Sequence, residues 1–358
     1  MFPNHHPSVV AWAVAVLLGP LAGPAGAGIS SSGAVSPDPS SGTVAGRLSI
    51  GSGATGQVTV DGGHVLSALQ LGLGDGGTGN GSLTLSGAGT RVNVTGVNSG
   101  GLGNFDLGSW GTGSVSVLAG ASFEHGVNTA DCVANCRIFI GNAAGSNGSL
   151  TVSGVGSSFS TLGRIIVANG SVFSVAANGF DYGTPGATTQ GHVGIAAGGV
   201  MSAALLTVGS AGGGLARTGA EQSLGSLSVD GAGALLTLTR NSAFTGNIAL
   251  LAIANGANAT GVVDIKSGGI VRLDSNVAPT LFNGVNLGSG GPTANGTLRI
   301  DGAGSLLELS GGIGFLNVGV NAAGSTGVML ITGGGRVAGT GEAGLPLQTS
   351  AAMAPPAR

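Results

Sequence analysis

Few residues in this chain could do chemistry. Its 358 residues hold two cysteines, five histidines and 14 acidic side chains against 11 basic ones, a formal net charge of −3. Cys132 and Cys136 both fall in FEHGVNTADCVANCR, residues 123–137, together with Glu124, His125 and Asp131. Two thiols so close can close a disulfide, which contributes roughly 2 kcal/mol for so short a loop by the chain-entropy reckoning. They could instead ligate a metal with His125 and Asp131, but thiolate sites usually come as two cysteine pairs and here there is one. The disulfide is the expectation, with no metal and no cofactor. His64 and His192 stand far apart and adjoin no Ser or Cys nucleophile motif, so no catalytic residue is predicted.

Asp75, in GLGDGGTGN, superficially resembles a calcium-binding turn. An array of such turns would repeat the Asp in every copy, and this one does not. Phe180 and Tyr182 sit in a second polar excursion, FDYGTPGATTQG, residues 180–191. Loops on the flank of a repeat protein are where binding concentrates. The candidate binding-loop residues are therefore Glu124, His125, Asp131, Phe180 and Tyr182.

The elements that must position these residues come from a repeat. The segment Gly, small polar, apolar, x, apolar recurs at Gly56 (GQVTVDGG), Gly81 (GSLTLSGAG), Gly113 (GSVSVLAG) and Gly148 (GSLTVSGVG). It returns in worn form at Gly170 (GSVFSV), then at Gly225, Gly261, Gly296 and Gly327, with a further worn copy expected near Gly198. In GSLTVSG the apolar Leu150 and Val152 point one way and their polar neighbours the other, which is the period of a half-buried strand. A second strand follows each GAG-type turn, as at Leu307-x-Leu309. A third follows as Leu69-x-Leu71, Phe105-x-Leu107, Ile138-x-Ile140 or Val285-x-Leu287.

Three short strands per period in the thirties predict an all-β chain. The fold class is a right-handed parallel β-helix, or β-solenoid, with its hand taken from the general preference of parallel crossovers. Nine to twelve coils at ~4.8 Å each give a rod on the order of 45 to 60 Å. If successive copies stack, Asp264 lies beside Arg299, and Asp230, Lys266 and Asp301 form one column of alternating sign, marking the register.

Gly contributes 75 residues, yet 42% of the chain is hydrophobic and alternates, so a core can form. With one lysine and a slight acidic excess, no patch could neutralise a row of phosphates, which excludes nucleic acid and anionic membranes as partners. Residues 1–27 carry an apolar run of roughly ten residues, too short to span a bilayer, ending in Ala25-Gly26-Ala27. They predict a cleaved signal peptide, with the mature chain beginning near Gly28. Residues 28–47, rich in Ser, Gly and Pro, predict a flexible linker, and 48–340 the solenoid. Residues 341–358 have no repeat and predict a disordered tail. No membrane span is expected in the mature chain.

The phrase G-S-L-T-V-S-G-A-G, repeated with L-x-V-G strands behind a signal peptide, resembles the passenger repeats of bacterial autotransporters and related Gly-rich surface proteins. The resemblance covers residues 48–340 and implies a parallel β-helix exported to the bacterial cell surface. It implies a structural or adhesin-like role with a surface glycan or protein as partner. It brings no shared catalytic residues. The family's translocating β-barrel and its C-terminal sorting tail are both missing from these 358 residues. The alternative is a polysaccharide-active β-helix enzyme, a lyase or hydrolase. Such enzymes gather carboxylates on one outer face, whereas here the outward positions are mostly Ser, Thr and Asn.

Overall fold

The computed structural model describes residues 28–95, 105–126, 136–171, 173–175, 180–182, 184, 186–211, 219–240, 250–275, 282–311, 313–319 and 324–340. Every regular element in them is a strand, and nearly all pair in parallel. They stack as nine coils of a β-solenoid with three faces. The first-face strands, numbering the coils in order, are Thr55–Val60, Asn80–Ser86, Thr112–Leu118, Asn147–Ser153, Thr188–Ala196, Gln222–Asp230, Ala259–Lys266, Asn295–Asp301 and Thr326–Thr332. Nine layers at ~4.8 Å make a rod of about 40 Å.

The second face runs from Arg91–Val94 in coil 2 to Arg336–Thr340 in coil 9, and the third from Phe105–Leu107 in coil 2 to Ile313–Val318 in coil 8. In coil 1 the single strand Val65–Leu73 serves both, pairing with Arg91–Val94 and then with Phe105–Leu107. The interior is filled by columns. On the first face Val58, Leu83, Val115, Leu150, Val193, Leu227, Val263 and Leu298 lie in direct register, each essentially inaccessible. Phe105, Phe123 and Phe159 stack inside coils 2 to 4, with successive centroids 5.0 and 4.9 Å apart.

The register columns stand where the sequence puts them. Asp264 pairs with Arg299 at 3.2 Å, and Lys266 reaches Asp230 at 3.3 Å with Asp301 beside it in the next coil. Two other expectations need correction. Residues 28–47 are not a linker: Ile29–Gly33 lies antiparallel on Thr55–Val60, Val35–Ser36 antiparallel on Thr43–Ile50, and together they cover the first coil. The fifth copy of the repeat is at neither Gly170 nor Gly198 but at Gly191, in GHVGIA, whose strand pairs with coil 4 below and coil 6 above. GSVFSV has the right alternation. Its strand Phe173–Val175 instead folds against Phe180–Tyr182 as an antiparallel hairpin inserted between coils.

Repeat glycines serve two separate ends. Gly141, at a corner, has φ 75°, a region that penalises any Cβ. Gly148, heading a first-face strand, has ordinary φ, but a Cβ there would collide with the backbone of Gly141 and Leu107.

The corner from first to second face alternates in length. Aligned by register, it has three residues in coils 1, 3, 5, 7 and 9 (62–64, 119–121, 197–199, 267–269, 333–335). It has four in coils 2, 4, 6 and 8 (87–90, 154–157, 231–234, 302–305). The last residue of a four-residue corner stitches it to the coil before. Thr90 accepts from Gly63 N–H, Ser157 from Gly120 and Ser305 from Gly268, each at 3.0 Å. The same hydroxyls donate to the carbonyls of Ser86, Ser153 and Asp301. Coil 6 has Ala234 at this place. The structural repeat is thus a pair of coils.

Candidate functional site

Of the candidate binding-loop residues, the structure moves two out of the loop. Ser122–His125 is the second-face strand of coil 3. Glu124 points outward and pairs with Arg91 at 3.6 Å, and His125 points into the core with no exposed surface. The polar run FEHGVNTADCVANCR reads as an excursion from its first residue, yet its first three residues complete a strand. Counting from the corner aligns Phe123-x-His125 with Val92-x-Val94 and would have found it.

The His125 Nδ1 lies 3.0 Å from Thr161 Oγ1, and Phe105 packs 6.1 Å from the ring centroid. Its Nε2 is buried and has no partner. Burial alone pushes its pKa down to about 4, so the ring is neutral. Such a histidine is walled off from any surface ligand.

Cys136 is disulfide-bonded and 2% exposed, against the corner that leads to the third face. The chain's other cysteine, Cys132, and Asp131 lie outside the described residues. Phe180 and Tyr182 belong to the inserted hairpin, in strand Phe180–Tyr182. Of the described candidates, His125 is thus removed to the core and Glu124 is paired on the second face.

The structure assembles two constellations that sequence reasoning missed. On the outer side of the third face, in coils 1 to 4, Arg47 Nη2 bonds both carboxylate oxygens of Asp75 at 2.9 Å. The guanidinium lies over Gly72, where a Cβ would collide with it. Asp106 is the residue in register with Gly72 in the next coil, 7% exposed, and Asn142 Nδ2 donates to its Oδ1 at 3.1 Å. Asn169 continues the line, donating to Asn142 Oδ1 at 3.0 Å. Burial raises the Asp106 pKa to about 7 against the pull of Arg47. A carboxyl poised there can act as an acid or a base. The available signal was an Asp in an outward slot that holds Phe139, Ile166 and Thr207 in later coils.

The second constellation is on the first face. His192 Nδ1 lies 2.9 Å from Ser226 Oγ across coils 5 and 6. Nucleophilic catalysis needs the base oriented by a third group, and among the described residues no carboxylate bonds this imidazole. Burial lowers its pKa. Among the described residues, no group of three His, Cys, Asp or Glu side chains is placed to hold a metal, and no helix is long and apolar enough to cross a membrane.

Compared with protein-family models, with curated proteins and with solved structures, the chain matches none.

Proposed function

We propose that this chain is an exported, cell-surface β-solenoid of the autotransporter-passenger kind, working as a structural or adhesin-like stalk whose flank engages a surface glycan or protein. One observation carries this reading: nine coils stack in direct register along the first face, with the other two faces following them, which makes a stiff rod able to hold a binding loop away from its base. Export rests on residues 1–27, which lie outside the described residues. One contact supports cleavage after Ala27. The backbone N–H of Gly28 sits 2.7 Å from Asp61 Oδ1, where a newly made amino terminus would gain a charged partner.

The test is expression in a bacterial host, with N-terminal sequencing of the chain recovered outside the cytoplasm and an adhesion assay on intact cells. A mature chain starting at Gly28, with adhesion to glycan- or protein-coated surfaces, supports the reading. Recovery of the chain only in the cytoplasm with Met1 intact sinks it.

The runner-up, a polysaccharide-active enzyme, draws on the Asp75 and Asp106 carboxylates beside Arg47 and on the raised Asp106 pKa. Release of reducing or unsaturated ends from polysaccharide by the wild type but not by Asp106→Asn would establish it.

A further inference from the structure

The basic side chains of this rod are mostly matched. Arg47 faces Asp75, Arg91 faces Glu124, Lys266 faces Asp230, Arg272 faces Glu308 and Arg299 faces Asp264. Among the described residues, apart from the exposed Arg336 of the last coil, one column breaks the rule. Arg137 and Arg164 open the third-face strands of coils 3 and 4, and they are direct register partners. Their residues are one coil apart, ~4.8 Å. Ile138 and Ile165, the next positions, point inward and are inaccessible, so alternation turns both arginines outward on the same side. Among the described residues, neither has a carboxylate within ion-pair distance.

Like charges directly opposite one another in a sheet are destabilising. Both side chains are half-buried, which strengthens the repulsion, and the Arg164 Nε is fully buried with no hydrogen-bond partner. Burial first, and then the charge of Arg137, lower the Arg164 pKa. Guanidinium groups nonetheless stay protonated in proteins. Two half-buried cations stand side by side with no counter-charge among the described residues, one with an unmet donor.

We infer that Arg137 and Arg164 form a binding site for a single oxyanion, a sulfate, phosphate or carboxylate group. Planar guanidinium forks suit the oxygens of such a group and can grip it from two sides. The site is too small for a nucleic-acid backbone, which needs a row of cations. Two sources share the chemistry, a free inorganic anion and a charged group carried on a polysaccharide. The inference stands apart from the stalk reading, since the site belongs to the fold wherever the rod is located.

The experiment uses the purified full chain and potassium sulfate, titrated calorimetrically at ionic strength held constant with chloride. Saturable sulfate binding is expected for the wild type and for Arg336→Ala, which removes an exposed arginine on coil 9. Arg137→Ala should bind about tenfold more weakly, a loss of about 1.4 kcal/mol. In chloride alone Arg137→Ala should melt no lower than the wild type, because it relieves a repulsion, and in saturating sulfate it should melt lower. Arg164→Lys, which keeps charge and bulk, covers the case in which Arg164→Ala fails to fold. Dextran sulfate and uncharged dextran separate the sources. Tighter Arg137-dependent binding of dextran sulfate than of sulfate marks a polymer-borne group, and equal binding marks a free ion. An identical sulfate response in the wild type and Arg137→Ala overturns the inference.

Discussion

At the scale of single residues, two buried titratable groups pull the stability of the rod in opposite directions with pH. His125 is neutral in the fold, with its pKa near 4 against an unfolded value of 6.5. The unfolded chain therefore binds a proton before the native one does, and stability falls as pH drops from 6.5 towards 4. The loss is on the order of 3 kcal/mol by linkage. Replacing it as His125→Phe, beside the stacked Phe105, should abolish that fall, read as the denaturation midpoint at pH 7 minus that at pH 4. An unchanged pH slope would show that the ring is not buried as described. Asp106 has the reverse sign. Its folded pKa of about 7 lies above the unfolded 3.8, so the native state holds its proton longer and stability falls as pH rises between them. Asp106→Asn should be more stable than the wild type at pH 8, by at most on the order of 4 kcal/mol, and little different at pH 4.

At the scale of elements, the corner stitch supplies a sharper prediction. Coil 6 has Ala234, without exposed surface, where coils 2, 4 and 8 have Thr90, Ser157 and Ser305. Gly198 N–H and the Asp230 carbonyl stand where the other stitches find their partners. Ala234→Ser should supply both bonds and raise stability by about 1 kcal/mol, while Ser157→Ala should lower it by a similar amount or more. Chemical denaturation of both variants decides it, and a destabilised Ala234→Ser would mean that the corner of coil 6 is built differently. The strands themselves were largely legible. Alternation in GSLTVSG is enough to name Leu150 and Val152 as core, and alternating charge is enough to align Asp264 with Arg299. Period 2 specifies which side a residue faces but not which partner its strand takes. GSVFSV therefore reads as a coil strand, whereas GHVGIA, with His192 and Gly194 in its outward slots, lacks the small-polar signature of the other copies. The capping strands were missed because Ser-rich ISSSG pairs through its backbone, and its exposed side carries no apolar alternation to read. Asp106, Arg137 and Arg164 depend on which coil lies above which, information that appears only once the copies are stacked.

At the scale of the whole molecule, the alternating corner has a consequence for how this rod can change length. A stitch forms only where a three-residue corner is followed by a four-residue corner, so coils are not interchangeable units. Removing residues 225–260 deletes one coil and sets two three-residue corners, 197–199 and 267–269, directly next to each other, a juxtaposition the native stack nowhere has. Removing residues 225–295 joins Leu224 to Gly296, deletes a pair, keeps the alternation of corner lengths, and brings Ser305 over Gly198, where the stitch lost with Gly268 can form again. The longer deletion should therefore melt in one transition near the wild-type midpoint, and the shorter one should melt lower or in two. Equal behaviour of the two would show that the pairing of coils is of no account. Duplications obey the same parity, so recombination within a gene of this pattern keeps full stability only when the crossover is in phase with the doublet, and lengths separated by a single coil should be scarce among its descendants.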